Sequence, residues 1–254
     1  MVQMKEILSL SMDIGEEMLR SGAEVKRVED TIDRICKAYG ASRVDAFIIT
    51  SSMVITVCDT DGEVYTQTRR IASLGTDFYK LDRLNALSRR VCAQKPSVEE
   101  AKRELLNIES GKSYPEWMLF VAYAVIAAAF TLFFGGTVMQ AFFSLFIGAG
   151  VRLMVVLSEK TVKNMILSKL VSAFFVTLCA FLLVRLGLVP RSDEIIIGNI
   201  MLLVSGIGFT TALRDLFVGD SVTGILRLLE AVLIAAALAA GYLLVVFLTG
   251  GASV

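Results

Sequence analysis

The feature that most restricts this chain is a series of long apolar stretches in its second half. About 20 apolar residues in helical form cross the hydrocarbon of a bilayer. Trp117 to Phe134, Thr137 to Leu157, Met165 to Leu188, Ile195 to Leu213 and Ile225 to Leu248 each approach or exceed that length. The fourth is the weakest, being rich in glycine, serine and threonine. Lipid offers the backbone no hydrogen-bond partners, so such stretches fold as helices. The pattern predicts an all-α transmembrane domain over 115–254 with five helices at 117–134, 137–157, 165–188, 195–213 and 225–248.

Charge marks where that domain begins. Of 25 Lys and Arg residues, 17 precede Trp117, and of 25 Asp and Glu residues, 19 do. The zero net charge therefore hides an ordinary polar half joined to a lipid-soluble one. Neither half is basic enough to suggest nucleic-acid binding. The chain has no histidine, which removes histidine triads, bases and metal ligands. Cys36, Cys58, Cys92 and Cys179 are too scattered for a Cys-x-x-Cys site and suit a reducing compartment. The first residues lack the basic start and apolar run of a cleaved signal, so the N-terminal domain is expected to be cytoplasmic. No glycine-rich phosphate loop is present, and no cofactor or metal is expected.

Residues 1–114 read as a small α+β domain. Ile7, Leu8, Leu10, Ile14 and Met18 have helical spacing over 3–20. Ser21 and Glu24 form a capping-box pattern, followed by the stripe Val25, Val28, Ile32 and Ile35 and a stop at Gly40. This predicts a second helix over 22–39. Three short strands follow, around Val44 to Ile49, Met53 to Val57 and Glu63 to Thr68, with a turn at Asp59 to Gly62. They are expected to pair antiparallel. Helical spacing returns from Asp77 to Val91. Pro96 ends that helix and Ser97 starts another.

Several polar groups could carry function. Asn199, Gly206 and Thr210 would share one face of a continuous fourth span. Gly206 and Gly208 permit an unwound backbone, as transporters use at substrate sites; packing through small residues is the alternative. Gln140, Ser144 and Gly148 on the second span, and Ser168 and Ser172 on the third, could line a polar cavity or bond between helices. Arg214, Asp215, Asp220 and Arg227 sit at the inner membrane edge as a salt-bridge gate, an anion site or a solvated loop. Glu230 lies one turn inside the fifth span, where carboxylates are functional candidates; pairing with Arg227 three residues away is the alternative. In the first domain, Glu24, Arg27, Glu29, Asp30, Asp33 and Arg34 crowd the second helix, as solvated faces do.

Basic residues set the orientation. With the first domain inside, Lys112, Arg152, Lys160, Lys163, Lys169, Arg214 and Arg227 lie at cytoplasmic ends and only Arg185 and Arg191 outside. Five spans then place the C-terminus outside.

Two runs carry a resemblance. Ser21 to Ile32 (SGAEVKRVEDTI) with Tyr39-Gly40, and Ala212 to Asp220 (ALRDLFVGD) with Gly224 to Arg227 (GILR), resemble the two signatures of the threonine/serine exporter family. The resemblance covers nearly the whole chain. It implies export of small amino acids, or of a dicarboxylate, driven by the proton gradient. It also implies a large subunit of the split type, working with a smaller membrane subunit of about 150 residues, a size that holds several spans, or as a homo-oligomer. On this reading Asn199, Ser205, Gly206, Gly208, Thr210, Thr211, Gln140 and Ser144 line the substrate pathway. Arg214, Asp215, Asp220, Arg227 and Glu230 gate or couple it, and Gly22, Glu24, Arg27 and Glu29 belong to the N-terminal signature. The chain departs from the family at Ser205, where proline is common, and at Thr211, where asparagine is common. Two rival readings remain: a membrane-anchored enzyme with a hydrolase-like first domain, and a sensor or scaffold without transport. The first lacks any evident nucleophile–base pair.

Overall fold

A computed structural model describes residues 4–71, 74–111, 114–161 and 164–250. Lys112 and Lys163, and the side chain of Lys160, lie outside the described residues. Two compact units are present: Met1–Ser113 with Thr210–Arg227, and Tyr114–Phe209 with Leu228–Val254.

In the first unit, α1 (Met4–Arg20) is amphipathic: Lys5, Glu6, Asp13, Glu16, Glu17 and Arg20 keep a polar stripe open to solvent while the rest of the helix is largely buried. Such a helix turns its wide apolar face to the core, and Ile7, Leu8, Leu10, Met12, Ile14 and Met18 are at most 1% exposed. Each such side chain contributes about 1.5–3 kcal/mol relative to exposure. Against it packs α2 (Val25–Ala38), through the stripe Val25, Val28, Ile32 and Ile35. Three strands, β1 (Arg43–Ile49), β2 (Ser52–Cys58) and β3 (Val64–Arg70), form one antiparallel sheet in the order β1-β2-β3. Ala46 pairs with Ile55 and Val54 with Thr68. The alternation of β2 turns Met53, Ile55 and Val57 into the core. The Asp59 carboxylate accepts from the amides of Asp61 and Glu63 at 2.9 and 3.0 Å, which closes the expected turn. Two capped helices complete the chain up to residue 110. Asp77 caps α3 (Phe78–Gln94) and Ser97 caps α4 (Val98–Ser110).

The entry to α2 differs from the capping-box expectation. Gly22, at φ +95°, ends α1 with Ala23 N–H donating to Met18 O at 2.9 Å and Gly22 N–H to Leu19 O at 3.0 Å. This is a Schellman closure. Ser21 is thereby the tail of α1 and cannot cap α2. Glu24 takes the N-cap position with no side-chain cap, which frees its carboxylate.

The second unit holds α5 (Glu116–Phe133), α6 (Val138–Thr161), α7 (Met165–Arg185) and α8 (Asp193–Ile200). α9 (Gly206–Val218) and α10 (Ser221–Leu248) are each shared between the units. α5 packs on α6 and α8, and α7 on α6 and α8. Among the described residues four helices are long and apolar enough to cross a membrane: α5, α6, α7 and α10. Their outer faces carry exposed Trp117, Phe146 and Phe247, as lipid-facing helices do.

The expected fourth span over 195–213 is not a continuous helix. It is α8, of 8 residues, and α9, of 13, separated by Met201 to Ser205. At 1.5 Å per residue α9 reaches about 20 Å, short of the hydrocarbon thickness. Tight turns end α8, with Leu202 N–H donating to Asn199 O at 3.2 Å and Leu203 N–H to Ile200 O at 2.8 Å. α9 restarts with Phe209 N–H on Ser205 O at 3.0 Å. The same break separates Asn199, on α8, from Gly206 and Thr210, on α9. The three therefore do not share one helix face.

Glycines set the helix spacing in this unit. A Cβ at Gly241 would lie 2.5 Å from Leu170 O and 3.0 Å from Phe174 N, both backbone atoms of α7. Gly241→Ala is expected to force α10 and α7 apart at about 1–3 kcal/mol, the usual range for overpacking. Thermal melting in detergent checks this, and an unchanged midpoint would refute the close approach.

Candidate functional site

The two sequence runs singled out above meet in the first unit. α2 presents Glu24, Lys26, Arg27 and Asp30, and the α9–α10 hairpin presents Arg214, Asp215, Val218 and Asp220. Together they line a cleft of about 390 Å³. The Arg214 guanidinium pairs with the Glu24 carboxylate that the α1–α2 turn left free. Arg227 donates to Asp215 at 2.9 Å, with side chains only 10% and 7% exposed. Its other nitrogen reaches Ala23 O at 3.4 Å. This buried pair ties the start of α10 to α9. The hairpin itself closes through Asp220 N–H on Asp215 O at 2.9 Å and Gly224 N–H on Asp220 O at 3.0 Å. A Cβ at Gly224 would lie 2.9 Å from Leu216 N, so the two helices touch there.

The electrostatics follow from burial. Asp215 is pushed above the usual carboxylate range by burial; Arg227 opposes this, while Asp220 and Glu24 add to it. Glu29 is also raised, first by burial and then against the pull of Lys26, with Asp220 contributing. Four carboxylates, Glu24, Asp30, Asp215 and Asp220, thus share a small cleft with Lys26, Arg27 and Arg214. Gly22 supplies the turn that aims Glu24. The Glu24–Arg214 pair is partly exposed, so Glu24→Gln is expected to shift stability by under about 1 kcal/mol. A larger drop in the melting midpoint would show that the pair is structural.

A second polar group is buried in the second unit. Thr131 on α5 and Ser144 on α6 share a hydrogen bond of 2.7 Å. Asn199 on α8 donates to Ser144 Oγ at 3.2 Å and to Ile195 O at 2.9 Å. Its Oδ1 is buried and finds no partner among the described residues. Gly198 admits Thr131 to this contact, because a Cβ there would sit 2.7 Å from Thr131 N. One helical turn away, Gln140 donates to Arg191 O and to Glu194 Oε2, both at 2.9 Å. On α7, Ser172 Oγ is buried and also lacks a partner among the described residues.

The expected site residues thus divide. Gln140, Ser144 and Asn199 come together; Glu24, Arg27, Arg214, Asp215, Asp220 and Arg227 come together. Ser205, Gly206 and Gly208 form the break and the start of α9, and Thr210 and Thr211 lie on its first turns. Glu230 is exposed on α10, with no ion pair among the described residues. Its suggested pairing with Arg227 does not occur, because Arg227 faces Asp215. The sequence reading missed Thr131 and Glu194. Thr131 is a lone hydroxyl in an apolar helix, which is a weak signal; Glu194 stands in a loop-side acidic pair with Asp193.

Four bilayer-length helices, a broken apolar segment and buried polar groups within the helical unit define a multi-pass membrane protein of the transporter class. Residues 9–249 match the family described as "Putative threonine/serine exporter", and the chain belongs to that family of membrane transporters. It is similar to the "Probable threonine/serine exporter" of Mycobacterium tuberculosis, at 23% identity over 244 residues, 94% of this chain and 46% of the relative. The chain therefore spans about half the length of that relative. It is similar to the "Probable succinate transporter subunit YjjP" of Klebsiella aerogenes, at 23% identity over 89% of this chain and 87% of the relative. The Escherichia coli protein of that name is 22% identical over 98% of this chain and 96% of the relative. No solved structure matches the chain.

Proposed function

We propose that the chain is the large subunit of a two-component exporter for threonine, serine or a similar small polar metabolite. A smaller membrane subunit completes it, and the proton gradient drives it across the cytoplasmic membrane. The observation that carries this reading is the cleft in which α2 and the α9–α10 hairpin meet. It joins both signature runs through the Glu24–Arg214 and Asp215–Arg227 pairs. The break at Met201 to Ser205 supports a pathway, since non-helical backbone at membrane depth is tolerated where it is enclosed by protein or lines a cavity. Asn199, with its open acceptor, and Ser144 and Gln140 beside it are the proposed polar lining. The two-component reading is supported by the names of two relatives, each a "Probable succinate transporter subunit YjjP".

Flux in proteoliposomes, with and without a candidate smaller membrane subunit, tests the proposal. Export of threonine or serine by the pair and not by either protein alone is the expected result. No flux of any small amino acid or dicarboxylate by the assembled pair would defeat it. The two relatives named for succinate favour a dicarboxylate as the second reading, and succinate in the same assay decides between them.

Glu230 is the proposed proton-coupling group, an exposed carboxylate on a span with no ion pair among the described residues. Glu230→Gln is expected to abolish proton-coupled flux; coupled flux that survives unchanged would remove the assignment. The distribution of basic residues supports an N-terminal unit in the cytoplasm and a C-terminus outside, with residues 195–213 making one crossing. A reporter fused to Val254 that stays cytoplasmic would overturn that topology.

A further inference from the structure

A second cleft in the first unit, of about 480 Å³, opens between α2 and α3 and is lined by Arg27, Arg34 and Arg89. Helical spacing gathers the first two on one face of α2, seven residues apart, while Arg89 lies four residues beyond Asn85 on α3. None of the three has a carboxylate within ion-pair distance among the described residues. Eight other arginines do: Arg20, Arg43, Arg69, Arg90, Arg152, Arg191, Arg214 and Arg227. The one acidic residue in the lining, Asp30, already faces Lys26 Nζ at 3.6 Å. Three guanidiniums against one engaged carboxylate leave the cleft with a concentrated positive charge. Arg34 lies near enough to Cys92, on the α3 wall, to oppose the upward push that burial gives its thiol.

A guanidinium is a planar fork of donors that fits the two oxygens of a carboxylate or phosphoryl group. Several converging without counter-charge focus an attractive potential for anions. We infer that the α2–α3 cleft binds a small di- or polyanion, of phosphoryl or dicarboxylate chemistry, as a site separate from the transport pathway. Arg27 and Asp30 line this cleft and also the cleft that holds Glu24 and Arg214. An anion seated on Arg27 therefore alters the charge balance that the Glu24, Asp215 and Asp220 carboxylates experience. The site gives the polar unit a means to sense a cytoplasmic anion and report it to the α9–α10 hairpin.

The test uses the full chain in detergent, with calorimetric titration and thermal melting in sodium pyrophosphate and in sodium succinate at matched ionic strength. Binding is read without flux, so its outcome is independent of the transport proposal. At least one of the two anions is expected to bind and raise the melting midpoint. Arg34→Gln and Arg89→Gln are each expected to weaken it about tenfold, the scale of one charge-assisted contact. Arg103→Gln, an exposed arginine on α4, serves as the control for general charge. Pyrophosphate binding alone identifies a phosphoryl ligand, and succinate binding alone a dicarboxylate. The inference fails if neither anion binds up to about 10 mM, a ceiling weaker than most specific sites. It also fails if Arg103→Gln weakens binding as much as Arg34→Gln and Arg89→Gln, or if those two leave it unchanged.

Discussion

Arg227→Leu is expected to destabilise the first unit by about 3–5 kcal/mol at neutral pH, the cost of leaving one partner of a buried ion pair alone. The stranded group is Asp215, only 7% exposed at its side chain. Burial already lifts its pKa, and Arg227 is the main force holding it down. Without Arg227 the carboxyl rises further. The sign of the pH effect follows. A group whose folded pKa exceeds its unfolded value contributes stability in full below the unfolded pKa, near 4 for Asp. That contribution is lost as pH rises through the folded value. Acidification from neutral pH should therefore restore part of the lost stability in Arg227→Leu, and restore less in wild type. The double variant Arg227→Leu with Asp215→Leu removes the stranded charge and should recover most of the loss. Melting curves at several pH values read all three proteins. A single variant that melts like wild type at neutral pH would show that the pair contributes nothing.

That pair also shows what the sequence made legible. Arg214, Asp215, Asp220 and Arg227 stand out as charges at the edge of apolar runs, so the sequence alone marks them as candidates. Their partners are not. Glu24 is nearly two hundred residues from Arg214, and only the fold brings it there. The capping-box pattern assigned Ser21 and Glu24 to each other. The Schellman closure at Gly22 overrides it, because a helix that ends in a left-handed glycine keeps Ser21 in its own last turn. The helices and strands of the first domain were legible from stretches of period 3.6 or 2, and the spans from apolar runs of bilayer length. β2 and α7 lie where their patterns place them, while α2 starts at Val25, three residues later than expected.

The fourth apolar segment was misread for a physical reason. Hydropathy measures whether lipid tolerates a stretch, not whether its backbone continues as one helix. Gly198, Ser205, Gly206 and Gly208 keep the segment apolar enough to score as a span while weakening helix propagation. Ser205 then serves as a turning point, and α9 begins from it. Asn199 and Thr210 looked like neighbours only under the assumption of a continuous helix. Thr131 was overlooked because a threonine bonded to the carbonyl four residues back, here Ala127 O at 2.9 Å, is common in apolar helices. Its second bond, to Ser144, depends on Gly198 and is visible only in three dimensions.

Asn199→Leu is expected to lower transport by about 10- to 150-fold while leaving the fold intact. The side chain is fully buried, its amide nitrogen held by Ser144 and Ile195 O, and its Oδ1 without a partner among the described residues. An open acceptor in an apolar surrounding normally costs about 1–3 kcal/mol. Leucine has a similar volume and removes that unsatisfied oxygen together with the two bonds, so the opposing terms nearly cancel and the melting midpoint should move little. Transport is different. On the proposed pathway, Oδ1 is free to accept from the ammonium or hydroxyl of a passing substrate. A hydrogen bond to a charged group is worth about 1.5–3 kcal/mol, which corresponds to that range of rate. Asn199→Asp keeps the acceptor and should retain more flux than leucine for a cationic or zwitterionic substrate. The same charge should penalise a dianion, so the ratio of threonine to succinate flux in Asn199→Asp reports which substrate class meets this oxygen. If Asn199→Leu lowers the melting midpoint in step with flux, the residue only braces α8 against α6. If flux is unchanged, the pathway lies elsewhere.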